Sequence, residues 1–295
     1  MPVIAGTSGW QYRDWRGAFY PVGVPQRTWL EYYARQFATV ENNGTFYRLP
    51  AREVFASWRD RVGTDFVMTV KASRYLTHVR RLRDPAQPVK RLLDAAEGLG
   101  DRLGPVLLQL PPDLRAAPGL LDDCLRQFPA SVRVAVEPRH ESWWTDEVRD
   151  VLAARGATLC WADRKGTAVT PLWRTADWGY LRLHEGEGER DGEGHRDGEG
   201  HRNGEGHRKS EGHRDGEGQG NGFGWPSYSR AALARWAERL MTTWAAERDV
   251  FVYFNNDQRC AAPRDAARLA ALVAASGGRA ARAWPDRESH GEQNG

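Results

Sequence analysis

Ionisable side chains recur in this sequence at the points where apolar, strand-like runs end. The clearest case is Glu137: valines alternate with other residues before it, so its carboxylate points away from the valine face at the end of a predicted strand. The polar residues that end the other runs are Ser8, Glu41, Lys71, Gln109, Asp163, Arg182 with His184, and Asn255 with Asn256 and Asp257. Such groups, if gathered in one place, could transfer protons and bind an anion.

The elements that must position these residues alternate regularly along the chain. Eight strand-like runs are separated, except after the sixth, by stretches whose apolar residues recur every three or four positions. These helical stretches cover residues 28–37, 52–62, 89–103, 119–128, 146–156, 229–247 and 264–276. This alternation predicts an α/β fold, a single closed (β/α)8 TIM-like barrel.

One segment has a different composition. Residues 185–222 repeat a degenerate six-residue unit without any apolar residue to bury, so we expect a disordered low-complexity insertion after the seventh strand. Its histidines could bind a metal loosely or have no role: His195, His201, His207 and His213. We predict one barrel domain over residues 1–284, interrupted by this insertion, and a flexible tail over residues 285–295.

The charge pattern gives no reason to expect a nucleic-acid partner. The net charge is +3, and the basic residues are spread along the chain. One modest basic cluster, either a solvated loop or a contact for an anionic ligand, comprises Arg74, His78, Arg80, Arg81 and Arg83.

Cysteine spacing and hydropathy predict the compartment. Cys124, Cys160 and Cys260 form no CxxC pair, which argues against a zinc finger or a disulfide scaffold and fits a reducing compartment. The first residues lack the features of a signal peptide, and no run reaches the roughly 18 apolar residues of a membrane span. We expect a cytoplasmic protein with a small-molecule ligand and no membrane partner, and its oligomeric state is open.

Strand alternation predicts which polar side chains meet. In the second strand, Ala38 and Val40 are assigned to the helix-facing side and Thr39 and Glu41 to the interior. Across five strands the same argument aims polar groups at one axis: Glu41, Lys71, Gln109, Glu137, and Arg182 with His184. The cluster is either an internal ion network or an active site, and its position at strand C-termini favours an active site.

Several long segments together resemble the YecE-like family, also catalogued as domain of unknown function 72 and as an uncharacterised UPF family. The matching segments are GTSGWQYRDWRGAFYP, VENNGTFYRLP, FVMTVKASRYLTH with RRL, GPVLLQLPP, VAVEPRHESWW, YLRLH and VYFNNDQRCAAPRDAARL. The resemblance covers nearly the whole chain except the repeat and the tail, and it implies a TIM-like barrel without an established reaction. Glu185 and Pro138 depart from the family, which usually has Gly and often an apolar residue such as Phe there.

The leading hypothesis is an enzyme that uses general acid–base chemistry at the C-terminal mouth of the barrel. We expect Glu41 and Glu137 to face each other, one protonated and one ionised, with Lys71 and His184 completing the catalytic set. A hydrolase, lyase or isomerase acting on a sugar-like or phosphorylated molecule would fit. The predicted substrate-binding residues, which include rim aromatics suited to flat ligands or to roofing the barrel, are Ser8, Trp10, Tyr12, Asn43, Tyr47, Gln109, Arg139, His140, Trp143, Arg182, Asn255 and Asn256.

Two alternatives remain open at this point. In the first, Mg, Mn or Zn is held by ligands from the ends of strands five to eight: Glu137, Asp163, His184 and Asn255. Neighbouring cations and the lack of an HExxH spacing argue against it, so no cofactor is predicted. In the second, a binding module without catalysis uses the aromatic and basic rim to hold a nucleotide, a nucleic acid or a protein, and substituting Trp10 or Trp143 would remove that binding.

Overall fold

Alternating apolar residues form strands at all eight predicted places. The computed structural model describes residues 2–187, 226–244 and 249–285. Its strands are β1 (Pro2–Thr7), β2 (Thr39–Asn42), β3 (Val67–Lys71), β4 (Leu103–Gln109), β5 (Val134–Glu137), β6 (Thr158–Leu159), β7 (Trp161–Arg164), β8 (Thr167–Ala168), β9 (Gly179–Leu183), β10 (Val250–Phe254) and β11 (Arg279–Ala280). The predicted sixth strand is divided into β6 and β7 at Cys160, and the sequence pattern does not predict the two-residue strands β8 and β11.

Main-chain hydrogen bonds join these strands into two sheets. One has the order β2-β3-β4-β5-β6, and the other has the order β11-β1-β10-β9-β7-β8, in which the β7–β8 pair is antiparallel. The predicted α/β fold with parallel strands is therefore confirmed. Within the described residues, however, the ladders form two sheets rather than one closed cylinder.

The C-terminal segment separates the two sheets at their N-terminal ends. β11 pairs with β1, and the Ala281 N–H then donates to the Val3 carbonyl at 2.9 Å. The next carbonyl, that of Arg282, accepts from the Ala38 N–H at 3.0 Å, just before β2. These hydrogen bonds take the place that a direct β1–β2 ladder would occupy there.

The C-terminal end of β1 approaches the first residue of β2 closely. A Cβ on Gly6 would lie 2.4 Å from the Thr39 carbonyl oxygen, so only glycine fits this position. The Tyr33 hydroxyl accepts a hydrogen bond from the Thr7 N–H at 3.0 Å and donates one to the Thr39 carbonyl at 3.1 Å. A side chain therefore joins the two sheets at this point.

All seven predicted helical stretches contain helices. The helices are α1 (Trp29–Gln36), α2 (Gly44–Tyr47), α3 (Arg52–Asp60), α4 (Ala86–Ala96), α5 (Pro118–Leu125), α6 (Asp146–Ala154), α7 (Arg230–Trp244) and α8 (Ala261–Ala275). The prediction of a helix as far as residue 103 is wrong, because α4 ends at Ala96 and a 3-10 segment follows that turns at Gly100, whose φ is +51°. As expected, the described residues between β7 and β9 contain no helix.

Two apolar layers flank the strands. One packs strand residues such as Val40, Val70 and Val136 against the helices, and the other lies among the strands. The members of the inner layer are Ile4, Ala38, Leu107, Ala135, Cys160, Trp178, Tyr180, Phe251 and Tyr253. Assigning Ala38 to the helix-facing side is wrong, because β2 and its alternation begin only at Thr39. Cys160 is buried in the core.

The predicted insertion lies largely outside the described residues, which stop at residue 187 and resume at 226, and residues 286–295 of the predicted tail also lie outside them. The two flanks meet, because the Gly186 N–H donates to the Pro226 carbonyl at 2.9 Å and the Glu185 N–H donates to the Tyr228 hydroxyl at 3.1 Å. In the described part of the chain, no helix is long and apolar enough to cross a membrane.

Candidate active site

Arg182, on β9, lies at the centre of a buried ion cluster at the C-terminal ends of the strands and is 1% exposed. Its Nε and Nη2 donate to the two carboxylate oxygens of Glu41 at 3.1 and 2.9 Å, and its Nη1 donates to Glu137 Oε2 at 2.7 Å. Nη2 also lies 3.3 Å from Asn255 Oδ1. The planar guanidinium, with five N–H donors, is suited to bridging two carboxylates in this way.

The Glu41 carboxylate at the end of β2 has no exposed surface and four hydrogen-bond donors. Besides the two from the guanidinium, the Ser8 hydroxyl donates to Oε1 at 2.8 Å and the Tyr180 hydroxyl donates to Oε2 at 2.5 Å. The Ser8 carbonyl in turn accepts from the Tyr12 hydroxyl at 2.5 Å and from Asn43 Nδ2 at 3.4 Å. Sequence reasoning missed Tyr180, whose inward position on β9 was the available signal.

The Glu137 carboxylate is equally enclosed. Gln109, its register partner on the neighbouring strand β4, donates to Oε2 at 2.8 Å. The other oxygen, Oε1, lies 3.0 Å from His184 Nε2 and 3.4 Å from Arg139 Nε. The parallel register of β4 and β5 thus brings together side chains that the sequence places 28 residues apart.

The expected pairing of one protonated and one ionised carboxylate is wrong. Burial alone would raise both pKa values. The charges of Arg182 and Lys71 nevertheless lower the pKa of Glu41, and the charge of Arg182 with a hydrogen bond from His184 holds that of Glu137 well below its usual range. Both carboxylates are therefore ionised at neutral pH. The Arg182 guanidinium pairs with both carboxylates in their ionised form, so neither carries a proton that it could donate as a general acid.

Lys71, the last residue of β3, is the cation of the site that lacks a carboxylate partner. It is 8% exposed, its Nζ lies 4.5 Å from the centroid of the Phe46 ring, and this amine forms no hydrogen bond or ion pair with the described residues. Burial and the charge of Arg182 lower the pKa of the amine to about 8, although Glu41 and Glu137 act in the opposite direction. A substantial fraction of this amine is neutral near physiological pH.

His184 follows β9 and is mostly buried. Burial lowers the pKa of its imidazole, although the charge of Glu137 raises it, so the ring is neutral at pH 7. An ionised Glu137 can only accept, so the proton lies on Nε2, and Nδ1 keeps a lone pair. The imidazole is thus oriented as a proton acceptor.

Asp257, after β10, is an ionisable group that sequence reasoning left out of the site. Burial raises the pKa of its carboxyl to about 7, although a hydrogen bond with Tyr12 lowers it, and among the described residues its Oδ1 has no hydrogen-bond partner. The next turn holds Arg259 and Cys260 at φ values of +56° and +61°, a strained conformation for residues other than glycine. The run of Asn255, Asn256 and Asp257 after an apolar strand was the signal.

Two predicted contact aromatics lie inside the protein. Trp10 is 5% exposed and packs edge-to-face on Trp58, and Trp143 is fully buried with its indole N–H donating to the Leu114 carbonyl at 2.7 Å. Neither ring offers a face to a ligand. Tyr47, in contrast, is 82% exposed at the end of α2.

Two more predicted contact residues hold loops. The Nδ2 of Asn256 donates to the Pro226 carbonyl at 3.0 Å and to Asp265 Oδ2 at 2.7 Å, which fixes the chain entering α7. The Nδ1 of His140 accepts from the Ser142 N–H at 3.0 Å. Both side chains therefore position neighbouring segments of the backbone through their hydrogen bonds.

The basic cluster is partly neutralised. Two of its arginines form ion pairs, Arg80 with Asp84 and Arg81 with Asp113. His78 lies in a π-helical turn (Tyr75–Val79) with its ring 5.0 Å from that of Phe46, against which Lys71 also lies. Such turns are frequent at functional sites.

The four ligands of the metal alternative do not all come together, because Asp163 lies apart from Glu137, His184 and Asn255. Asp163 accepts from Trp236 Nε1 at 2.9 Å and from the Gly166 N–H at 3.1 Å, so it faces α7 rather than Glu137. Among the residues that the structure describes, no group of three or more His, Cys, Asp or Glu side chains could hold a metal ion.

Comparison with known proteins identifies the relatives of this chain. A family model described as "Protein of unknown function DUF72" matches residues 4–289. The UPF0759 protein YecE of Escherichia coli K12 is 31% identical over 156 residues, which are 52% of this chain and 54% of that protein. The chain thus spans about half the length of the curated relatives it matches.

Solved structures share the fold. A DUF72 family protein from Thermotoga maritima superposes with a TM-score of 0.71 at 24% identity, covering 93% of this chain and all of that chain. A DUF72 family protein from Enterococcus faecalis gives a TM-score of 0.68 at 15% identity, covering 92% of this chain and 95% of that chain. At these identities the likeness establishes the fold alone.

Proposed function

This chain belongs to the DUF72 family, and we propose that it is an enzyme that transfers protons to and from a small polar substrate at the C-terminal ends of its strands. The observation that carries the proposal is the contrast within the site. Glu41 and Glu137 are held ionised, while the Lys71 amine and the His184 imidazole beside them have lowered pKa values. Groups whose pKa lies near the working pH transfer protons most effectively.

The roles follow from the contacts. Lys71 and His184 exchange protons with the substrate, and Asp257 is a further candidate because the pKa of its carboxyl is about 7. The pairing of Glu41 and Glu137 with Arg182 fixes the site and keeps its electrostatic field in place before the substrate binds.

The substrate class follows from the rim. Arg139 is 38% exposed and only loosely paired with Glu137, and Tyr47 offers a largely exposed ring. An anionic group would attract the first, and the flat face of a sugar would pack on the second. We therefore favour a sugar-like or phosphorylated small molecule.

We also infer that the two sheets are parts of one barrel with its active site at the mouth. The Tyr33 hydroxyl bridges β1 and β2, and Cys160 separates β6 from β7 by a single residue. Three separate cysteines, none in a disulfide, support a cytoplasmic location.

The alternatives have weaker support. A metal-dependent hydrolase or isomerase needs ligands that converge, and Asp163 contacts Trp236 instead. A binding module that holds its ligand through Trp10 or Trp143 needs exposed rings, and both are buried. Tyr47 is an exposed aromatic residue that a binding module could still use.

Proton transfer can be tested without knowing the reaction. We would incubate the protein in D2O with a panel of sugars, sugar phosphates, hydroxy acids and oxo acids and follow their C–H signals by NMR. We expect at least one compound to exchange or be converted, with loss of that activity in His184→Asn. Compounds that bind equally to both proteins without exchange or conversion would instead support the binding module.

A further inference from the structure

We propose that Lys71 is a nucleophile that condenses with the carbonyl group of a small anionic ketone or aldehyde to form an imine. The proposal deepens the proposed function and rests on it, because it assigns covalent chemistry and a substrate class to the same site. Three observations support it: the choice of lysine at this position, the lack of a partner for the amine, and the positive charge around it.

Lysine is rare in this chain. Of the 42 lysine and arginine residues only four are lysine: Lys71, Lys90, Lys165 and Lys209. Lys90 and Lys165 are exposed and lie near the carboxylates of Asp94 and Glu185. Lys71 is the buried one among the described residues, at the end of a strand. Arginine could supply positive charge there, but it keeps its proton and is no nucleophile, so a role in charge alone does not require lysine.

The surroundings of Lys71 leave its amine free to react. Glu41 and Glu137 are occupied by Arg182, and no carboxylate of the described residues forms an ion pair with Lys71. The Phe46 ring covers the amine on one side, which excludes water without accepting its protons strongly. With a pKa of about 8, about a tenth of the amine is neutral at pH 7 and about half at pH 8.

The reaction is balanced without an oxidant or a reductant. The neutral amine attacks the carbonyl carbon, a C–N bond forms, and the carbonyl oxygen gains a proton to give a carbinolamine. The nitrogen then loses one proton, the C–O bond breaks as the oxygen takes up a second proton and leaves as water, and the resulting iminium loses its remaining N–H proton to give the imine. A neutral His184 can accept a proton in one step and return it in the other.

Positive charge on this side of the site specifies an anionic carbonyl compound. His78 and Lys71 contact the same Phe46 ring, and in addition to burial the charges of Arg74, Lys71 and Arg139 lower the pKa of His78. Asp113 acts in the opposite direction, but it is paired with Arg81. A carboxylate or phosphate next to the carbonyl group would relieve this repulsion.

Borohydride trapping tests the proposal on the full-length protein. Matched pairs of ketones, pyruvate with acetone and dihydroxyacetone phosphate with dihydroxyacetone, are added at pH 8 and reduced, and adducts are located by peptide mass mapping. We expect one adduct on Lys71, formed at least about tenfold faster with the anionic member of a pair. The attraction of its anionic group to Arg74 and Arg139 is worth about that factor. Lys90→Met should trap as the wild type does, and Lys71→Arg should not.

Each of the other outcomes would overturn the imine, the substrate class or the proposed function. Adducts distributed evenly over Lys71, Lys90, Lys165 and Lys209 in the wild type would overturn the imine, and this result needs no variant to fold. Equal trapping of neutral and anionic ketones on Lys71 would overturn the substrate class. Deuterium exchange without any Lys71 adduct would remove the imine and leave the proposed function intact, whereas loss of both would remove both.

Discussion

The two sides of the strand-end site differ in how completely their charges are paired. On one side, which we call the Arg182 cluster (Arg182, Glu41 and Glu137), both carboxylates receive several hydrogen bonds and are ionised. On the other, which we call the Lys71 side (Lys71, Phe46 and His78), an amine lies on an aromatic ring and forms no ion pair with a carboxylate of the described residues.

The difference in pairing indicates a structural role for the Arg182 cluster and a chemical role for the Lys71 side. Protonating a carboxylate of a fully paired buried cluster would break its ion pair, so such a cluster fixes the geometry of the site rather than transferring protons. An unpaired buried amine costs folding free energy, and its pKa moves toward neutrality because the charged form is disfavoured. Strain and unpaired groups of this kind are characteristic of functional sites.

The largest expected effect comes from removing the centre of the Arg182 cluster. Arg182→Met should lower the free energy of unfolding at pH 7 by about 3–5 kcal/mol, because it leaves two carboxylates buried without a cation. Urea denaturation measures this loss. As a control, Arg149→Met removes an exposed ion pair with Asp146 and should cost about 0–1 kcal/mol. Equal losses in the two variants would show that the cluster does not hold the site together.

The Lys71 side should respond in the opposite direction. Lys71→Met should raise the free energy of unfolding at pH 7 by about 2–3 kcal/mol, because it removes the cost of a buried charge. The folded pKa of about 8 lies below the ordinary value of 10.5, so this cost is fully present below pH 8 and disappears as the pH rises toward 10.5. The advantage of the variant should follow that course in denaturation series. A destabilised variant at pH 7 would mean that Lys71 is paired in solution.

A smaller effect is expected where one anion of the cluster is neutralised. Glu137→Gln should cost about 1–2 kcal/mol at pH 7. The folded pKa of Glu137 is lowered below 4.5, so its contribution is present above pH 4.5 and is lost as the pH falls through the folded value. The gap between wild type and variant should therefore narrow in acid. A gap that stays constant down to pH 2 would contradict an ionised, paired Glu137.

The smallest effect on stability is expected at the rim. Tyr47→Ala should change the free energy of unfolding by no more than about 0.5 kcal/mol, because the ring is largely exposed. If Tyr47 packs against the substrate, the same variant should raise the concentration of ketone needed for half-maximal trapping on Lys71. A change in stability without a change in trapping would place Tyr47 in the fold rather than in the site.

The comparison also separates what the sequence predicts from what it does not. Alternation has a period of two, fixed by the strand backbone, so the inward direction of Glu137, Lys71 and Arg182 could be predicted residue by residue. Which groups pair could not, because Tyr180 and Glu41 meet across 139 residues through the arrangement of the sheets. The protonation states depend on those pairings and were predicted wrongly for that reason.

Aromatic residues show a second limit. Trp143 and Tyr47 both follow the end of a strand, yet the first is buried and the second largely exposed. A ring after a strand has the same local pattern whether it faces a ligand or a loop, and only the packing of later segments decides. The C-terminal segment that separates the two sheets, Arg279–Ala280 and the next two residues, also could not be predicted. A two-residue strand is too short to show a hydrophobic periodicity.

The chemistry assigned to Lys71 depends on a buried amine with which no carboxylate of the described residues forms an ion pair, so the pKa of this amine is the first quantity to measure. NMR of lysine side chains labelled with 13C at Cε reads the pKa of each amine, and with four lysines in the chain the Lys71 signal can be assigned by its absence in Lys71→Arg. We expect Lys71 to titrate at about 8. A Lys71 signal that titrates near the ordinary value of about 10.4 would contradict it.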